Sequence, residues 1–101
     1  LNACTPVRRS RDADKEGAGE IYAIYVDPGW WSRGAGRLLM EAAQHSLSGQ
    51  GVQEAVLWVL VGNTRAERFY RIDGWEPDGN RRVQEIHGID VHERRYTRSL
   101  G

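Results

Sequence analysis

The residues best suited to chemistry cluster in one turn. Trp31-Ser32-Arg33-Gly34-Ala35-Gly36 follows an apolar stretch that stops at Asp27-Pro28-Gly29, and it precedes an amphipathic run from Arg37 to Leu47. A strand that feeds a glycine-bearing turn and then a helix aims several backbone N–H groups at one point. The positive end of the helix dipole is aimed there too. Such a point binds phosphate. Neither common nucleotide signature is present: there is no Gly-Lys-Ser/Thr run, and Gly34-Ala35-Gly36 continues as Arg37-Leu38-Leu39 instead of completing GxGxxG. The plainer reading of the turn is a glycine-containing helix start with no ligand.

The elements that must position this turn can be read from periodicity. Glu20 to Val26 is apolar, β-branched and aromatic, which predicts a strand. Glu20, Tyr22, Ile24 and Val26 share one face, with Ile21, Ala23 and Tyr25 on the other, so both faces need cover. After the turn, Ala35, Leu38, Leu39, Ala42, Ala43 and Leu47 recur at helical spacing, predicting a buried stripe that ends at Ser48-Gly49-Gln50-Gly51. Val52 to Val61 predicts a second buried strand. Asn63 is a good N-cap for a helix over Arg65 to Ile72, closed by Gly74. If the two strands are parallel, this makes a βαβ-type unit with a right-handed crossover.

Outside that unit the pattern weakens. Leu1 to Val7 reads as the end of a strand, and Arg8 to Gly19 as a polar, mobile connection. Trp75 to Asn80 is turn-rich. Arg82 to His87 and Val91 to Ser99 then predict an antiparallel hairpin joined at Gly88-Ile89-Asp90.

Composition narrows the function classes. The 101 residues suffice for one small domain, 1–101. Fourteen basic and fourteen acidic side chains leave no general field for nucleic acid. A single cysteine, Cys4, suits a reducing compartment, so the expected location is the cytoplasm. The longest apolar run, Ala55 to Val61, is far short of the roughly 20 residues of a membrane span. His45, His87 and His92 have no metal-ligand spacing with one another or with Cys4, so no metal is expected. The chain begins at Leu1 in strand-like sequence, and an N-terminal portion is expected to be missing.

A second block gives the turn its context. Asn63-Thr64-Arg65-Ala66-Glu67-Arg68-Phe69-Tyr70 runs on to Gly74-Trp75. Together with Val26-Asp27-Pro28 and the Gly34-Ala35-Gly36 turn, it resembles the GNAT superfamily of N-acetyltransferases. That family carries an Arg/Gln-x-x-Gly-x-Gly/Ala loop after a strand ending Val-x-Pro, then an Asn…Ala…Phe/Leu-Tyr…Gly-Phe block. Here Trp31 replaces the loop's first Arg or Gln, and Trp75 replaces the Phe. The resemblance covers Glu20 to Trp75 closely. It implies an α/β fold, a mixed sheet with two helices after the CoA-binding strand and a C-terminal antiparallel hairpin, here as a single partial domain.

The implied activity is transfer of an acetyl group from acetyl-CoA to a primary amine, by direct attack in a ternary complex. The acceptor is a small molecule or a protein. The resemblance places the pyrophosphate on Ser32, Arg33, Gly34, Ala35, Gly36 and Arg37. It places the pantetheine amides on the backbone of Ile24, Tyr25 and Val26, one of whose N–H groups would also polarise the thioester carbonyl. Asn63 would meet the cofactor. Tyr70 would protonate the leaving thiolate, and Glu20, six residues before Val26, would take the amine proton. Another branch of the family carries its base five residues before the Asn, a position occupied here by Trp58.

Plainer roles stand beside these. Glu20 could be a solvated residue at a strand edge, Tyr70 a core aromatic, Asn63 a cap alone, and Trp30 and Trp31 cover for the core. The three histidines read as surface or hairpin residues. The Arg8-Arg9-Arg11 and Arg94-Arg95-Arg98 clusters read as solvated faces. A non-catalytic acyl-CoA-binding or partner-dependent module, lacking a complete acceptor site, is the alternative function. Nucleotide binding through the glycine turn is a third. The hairpin edge leaves room for a homodimer.

Overall fold

The computed structural model describes residues 7–21 and 35–100, with side chains except at Ala35, Gly36 and Leu39. The strands are β1 (Val7–Arg9), β2 (Gly19–Ile21), β3 (Glu54–Leu60), β4 (Glu76–Ile86) and β5 (Ile89–Ser99). The helices are α1 (Ala35–Gly49) and α2 (Thr64–Ile72), with a short 3-10 turn at Ala13–Lys15. The strands form one mixed sheet in the order β1-β2-β3-β5-β4. By contact the chain divides into two compact units, Leu1–Ala55 with Ser99–Gly101, and Val56–Arg98.

In the first unit β1 and β2 pair antiparallel, with Arg8 directly opposite Glu20. The Ser10 N–H donates to the Ala18 carbonyl at 2.8 Å, continuing the hairpin. Lys15 Nζ pairs with Glu54 Oε1 at 3.0 Å. So the stretch read as a mobile connection from Arg8 to Gly19 is a strand, a helical turn and the start of the next strand. Its polar sequence hides this, because β1 is held by its backbone partner and is not fully buried. On α1 the buried residues are Met40, Ala43 and Leu47, whereas Leu38 and Ala42 are exposed. Among the described side chains of α1, the buried face is therefore turned from the one the sequence pattern suggests. Leu47 packs where a side chain on residue 19 would be: a Cβ there would lie 2.6 Å from Leu47 Cδ2. Glycine at this position lets α1 approach β2 closely.

The second unit holds the buried part of β3 that follows Ala55, namely Val56, Leu57 and Val59, together with Trp75 and Tyr96. Asn63 caps α2 as expected, its Oδ1 accepting from Ala66 N at 3.2 Å. At the other end Gly74 takes φ +98°, Trp75 N donates to the Tyr70 carbonyl, and Gly74 N donates to that of Arg71. This Schellman arrangement satisfies the last helical carbonyls and fixes the turn that carries Tyr70.

The final hairpin forms, with two corrections. β4 begins at Glu76, inside the stretch read as turn-rich, with a register irregularity between Pro77 and Arg81. The loop is His87-Gly88, between the paired Ile86 and Ile89, and both loop residues have positive φ. That is the twist a two-residue hairpin prefers. The C-terminal arginines are not solvated faces. Arg95 is buried and its Nε meets Asp78 Oδ2 at 2.6 Å, Arg94 Nη1 meets Glu67 Oε1 at 3.1 Å, and Arg98 Nη1 meets Asp73 Oδ2 at 3.0 Å. The three histidines are exposed.

Candidate active site

Glu20 lies in the middle of β2, and its side chain is 2% exposed. The solvated strand-edge reading is thereby overturned. Its Oε2 accepts from Arg8 Nε at 2.5 Å, across the antiparallel pair, and Arg8 is the more exposed partner. Its Oε1 is buried without a hydrogen-bond partner, the one such side-chain atom among the described residues. A buried carboxylate oxygen left unpaired costs on the order of 1–3 kcal/mol. It is also an open lone pair, the feature a proton acceptor needs.

Among the described residues α1 begins at Ala35, the first position of the helical pattern read from the sequence. Ala35, Gly36 and Arg37 therefore belong to the first helical turn, where N–H groups lack intrahelical partners and the dipole favours an anion. The Arg37 side chain is exposed and its Nε meets Glu41 Oε1 at 3.2 Å. An exposed pair of this kind is worth about 0–1 kcal/mol, so the guanidinium can be recruited by another anion at little cost. Ile24, Tyr25, Val26, Ser32, Arg33 and Gly34, like Trp30 and Trp31, lie outside the described residues.

Asn63 and Tyr70 belong to the second unit. Asn63 is exposed and uses its Oδ1 in the cap. Tyr70 is half-buried in an aromatic cluster. Its ring centroid lies 5.5 Å from Phe69, 6.4 Å from Trp75 and 6.3 Å from Tyr96. Burial pushes its phenol above the ordinary value of 10.0. Such a phenol is protonated at neutral pH and suits a donor better than an acceptor.

The neighbouring Tyr96 is different. Its hydroxyl donates to Glu67 Oε1 at 2.7 Å and accepts from Arg71 Nε at 3.3 Å. The Tyr96 contact holds the Arg71 guanidinium above its ordinary value. Glu67 Oε1 also receives Arg94. This closed network joins α2 to β5. Trp58, at the position of the alternative base, is half-buried, and the Arg82 guanidinium lies 4.4 Å from its ring centroid.

Residues 3–75 match the model of the Acetyltransferase (GNAT) family. The chain belongs to that family. Among GNAT-related sequences, mycothiol acetyltransferase of Mycobacteroides abscessus is 42% identical over 60 residues, covering 59% of this chain and 20% of that protein. Its counterpart in Thermobifida fusca is 38% identical over 68 residues, covering 64% and 21%. The chain thus spans about a fifth of the length of these relatives. Among solved structures, nourseothricin acetyltransferase superposes with a TM-score of 0.75 at 20% identity, over 94% of this chain and 55% of that one. The ribosomal-protein-S18-alanine N-acetyltransferase of Escherichia coli gives 0.68 at 22% identity, over 84% and 56%. These likenesses confirm the GNAT fold expected from the two motifs.

Sequence reasoning misses Arg8 and the Glu67–Tyr96 network. The signal for Arg8 is faint: in an antiparallel pair a basic residue opposite an acidic one is favourable, but the strand read from the sequence stops at Val7, one residue short of it. Tyr96 lies 29 residues from Glu67, and no local pattern links them.

Proposed function

We propose that this GNAT chain binds acetyl-CoA and transfers its acetyl group to a primary amine within a ternary complex. The observation that carries the reading is the buried Glu20 carboxylate with one oxygen left open. In this reading the lone pair of the neutral acceptor amine forms the C–N bond at the thioester carbonyl carbon. Glu20 takes the proton that the nitrogen then sheds, directly or through water, as the C–S bond breaks. Tyr70 gives its phenol proton to the departing thiolate, and solvent returns a proton from Glu20 to Tyr70. The first turn of α1 at Ala35, Gly36 and Arg37, with Ser32, Arg33 and Gly34 before it, holds the pyrophosphate. Ile24, Tyr25 and Val26 pair with the pantetheine amides, and Asn63 meets the same arm with its free amide N–H groups. The relatives' name makes a mycothiol-derived amine the first acceptor to test.

The test begins with calorimetry of acetyl-CoA on the 101-residue chain, with ATP as control and Gly34→Glu as the blocked variant. It continues with chromatographic measurement of CoA release over a panel of amines: a mycothiol-derived amine, benzylamine, spermidine and an alanyl tetrapeptide. The expected result is micromolar binding of acetyl-CoA, loss of that binding in Gly34→Glu, none with ATP, and turnover with at least one amine. Binding without turnover of any amine would overturn the catalytic reading in favour of an acyl-CoA-binding module. ATP binding that competes with acetyl-CoA would point to a nucleotide site.

A further inference from the structure

Arg8 takes up only half of the carboxylate it faces. It stands directly opposite Glu20 across β1 and β2, and its Nε holds Oε2 at 2.5 Å. Oε1 remains buried and unpartnered. An arginine whose task is to neutralise a buried carboxylate commonly binds both oxygens through its planar fork. Here one oxygen is held and the other is left open, at a cost to stability that a purely structural pair would avoid.

We propose that Arg8 is the positioning residue of the Glu20 base: its guanidinium supplies the counter-charge and fixes the rotation of the carboxylate, so that Oε1 is the atom that receives the amine proton. The inference rests on the reading of Glu20 as the base. Arginine suits the task because it stays charged at every working pH and so does not compete for the proton. Its position on a paired strand ties the orientation of the base to backbone hydrogen bonds. The side chain of Arg8 is 31% exposed against 2% for Glu20, so the guanidinium also forms the solvent-side cover of the carboxylate.

A double-mutant cycle tests this on the whole chain, with the amine of the panel that turns over fastest. The variants are Glu20→Gln, Arg8→Gln, Arg8→Lys and the Arg8→Gln/Glu20→Gln pair, with kcat, KM for acetyl-CoA and melting temperature measured for each. Glu20→Gln is expected to lower kcat about 100-fold. Arg8→Gln is expected to lower it about tenfold with KM for acetyl-CoA within about twofold, and Arg8→Lys to recover most of that loss. In the Glu20→Gln background, replacing Arg8 should change kcat no further, because its effect passes through the carboxylate.

A kcat of Arg8→Gln equal to wild type, with Glu20→Gln impaired, overturns the role of Arg8 and leaves the base reading standing. A further tenfold fall in the double variant overturns it as well. Full activity of Glu20→Gln overturns the base reading itself. Should Arg8→Gln fail to fold, Arg8→Lys and the charge-free double variant decide. Lysine activity near wild type supports the proposal, and activity as low as the double variant overturns it.

Discussion

Two buried polar clusters in this chain are built on opposite plans. Around Tyr96 the hydroxyl both donates and accepts, Glu67 Oε1 receives two donors, and the nearby Arg95 is buried against Asp78. Around Glu20 one oxygen is matched and the other is left open. A satisfied network holds elements together, and an open valence in a buried carboxylate costs stability without adding packing. The difference separates groups that hold the fold from the group proposed here as the base.

The largest expected effect tests the closed side. Asp78→Asn removes the carboxylate that pairs with buried Arg95 and should destabilise the chain by about 3 kcal/mol in denaturant melts. Turnover per folded molecule should be unchanged. The acid side of the stability curve sharpens the point. Burial works to raise the Asp78 carboxyl, but the hydrogen bonds from Asn80 and the pairing with Arg95 outweigh it, and the net shift is downward from 3.8. That contribution is present above the ordinary carboxylate value and is lost as pH falls through the lower, folded value. The Asn variant should lose this acid-dependent part of its stability.

Next comes the open side. Glu20→Gln should reduce kcat about 100-fold, equivalent to about 2.7 kcal/mol of barrier. Its melting temperature should change far less than that of Asp78→Asn, since no closed network is broken. If the two variants lose stability alike and Asp78→Asn also loses turnover, the contrast between the clusters collapses.

Gly19→Ala comes third. The added Cβ meets buried Leu47, and overpacking of this kind costs about 1–2 kcal/mol. Because Gly19 adjoins Glu20 on β2, a fall in kcat that accompanies the lost stability would show that the base depends on the register of that strand. Loss of stability alone would assign Gly19 to packing.

Tyr70→Phe is expected to give the smallest change, about tenfold in kcat. The raised phenol value predicts its own signature. Between 10.0 and the higher folded value, the unfolded tyrosine ionises and the folded one does not, so stability falls as pH rises through that window. In the Phe variant this part of the alkaline loss should be absent, and an unchanged alkaline melt would remove Tyr70 from the account.

Much of the fold is legible in the sequence. The helix cap at Asn63, the stop at Gly74, β3, the hairpin and the family all rest on local spacing, where neighbouring residues decide the outcome. The strand expected to end at Val7 runs on through Arg8 and Arg9, which is not legible because these residues pair through their backbone and leave no periodic trace. Periodicity misplaces the buried stripe of α1 at Leu38 and Ala42, because it gives a face only to within a residue or two. The close approach at Gly19 selects which residues face inward.

The sequence by itself determined the two motifs, their order and the residue types available for acyl transfer. Only the tertiary structure decided their condition: that Glu20 is buried, that Arg8 holds one of its oxygens, and that the C-terminal arginines are tied to Asp73, Asp78 and Glu67. The reason is physical. Secondary structure answers to contacts a few residues apart. The charge pairing and open valences of a buried group depend on partners 12 to 29 residues away, which folding alone brings together.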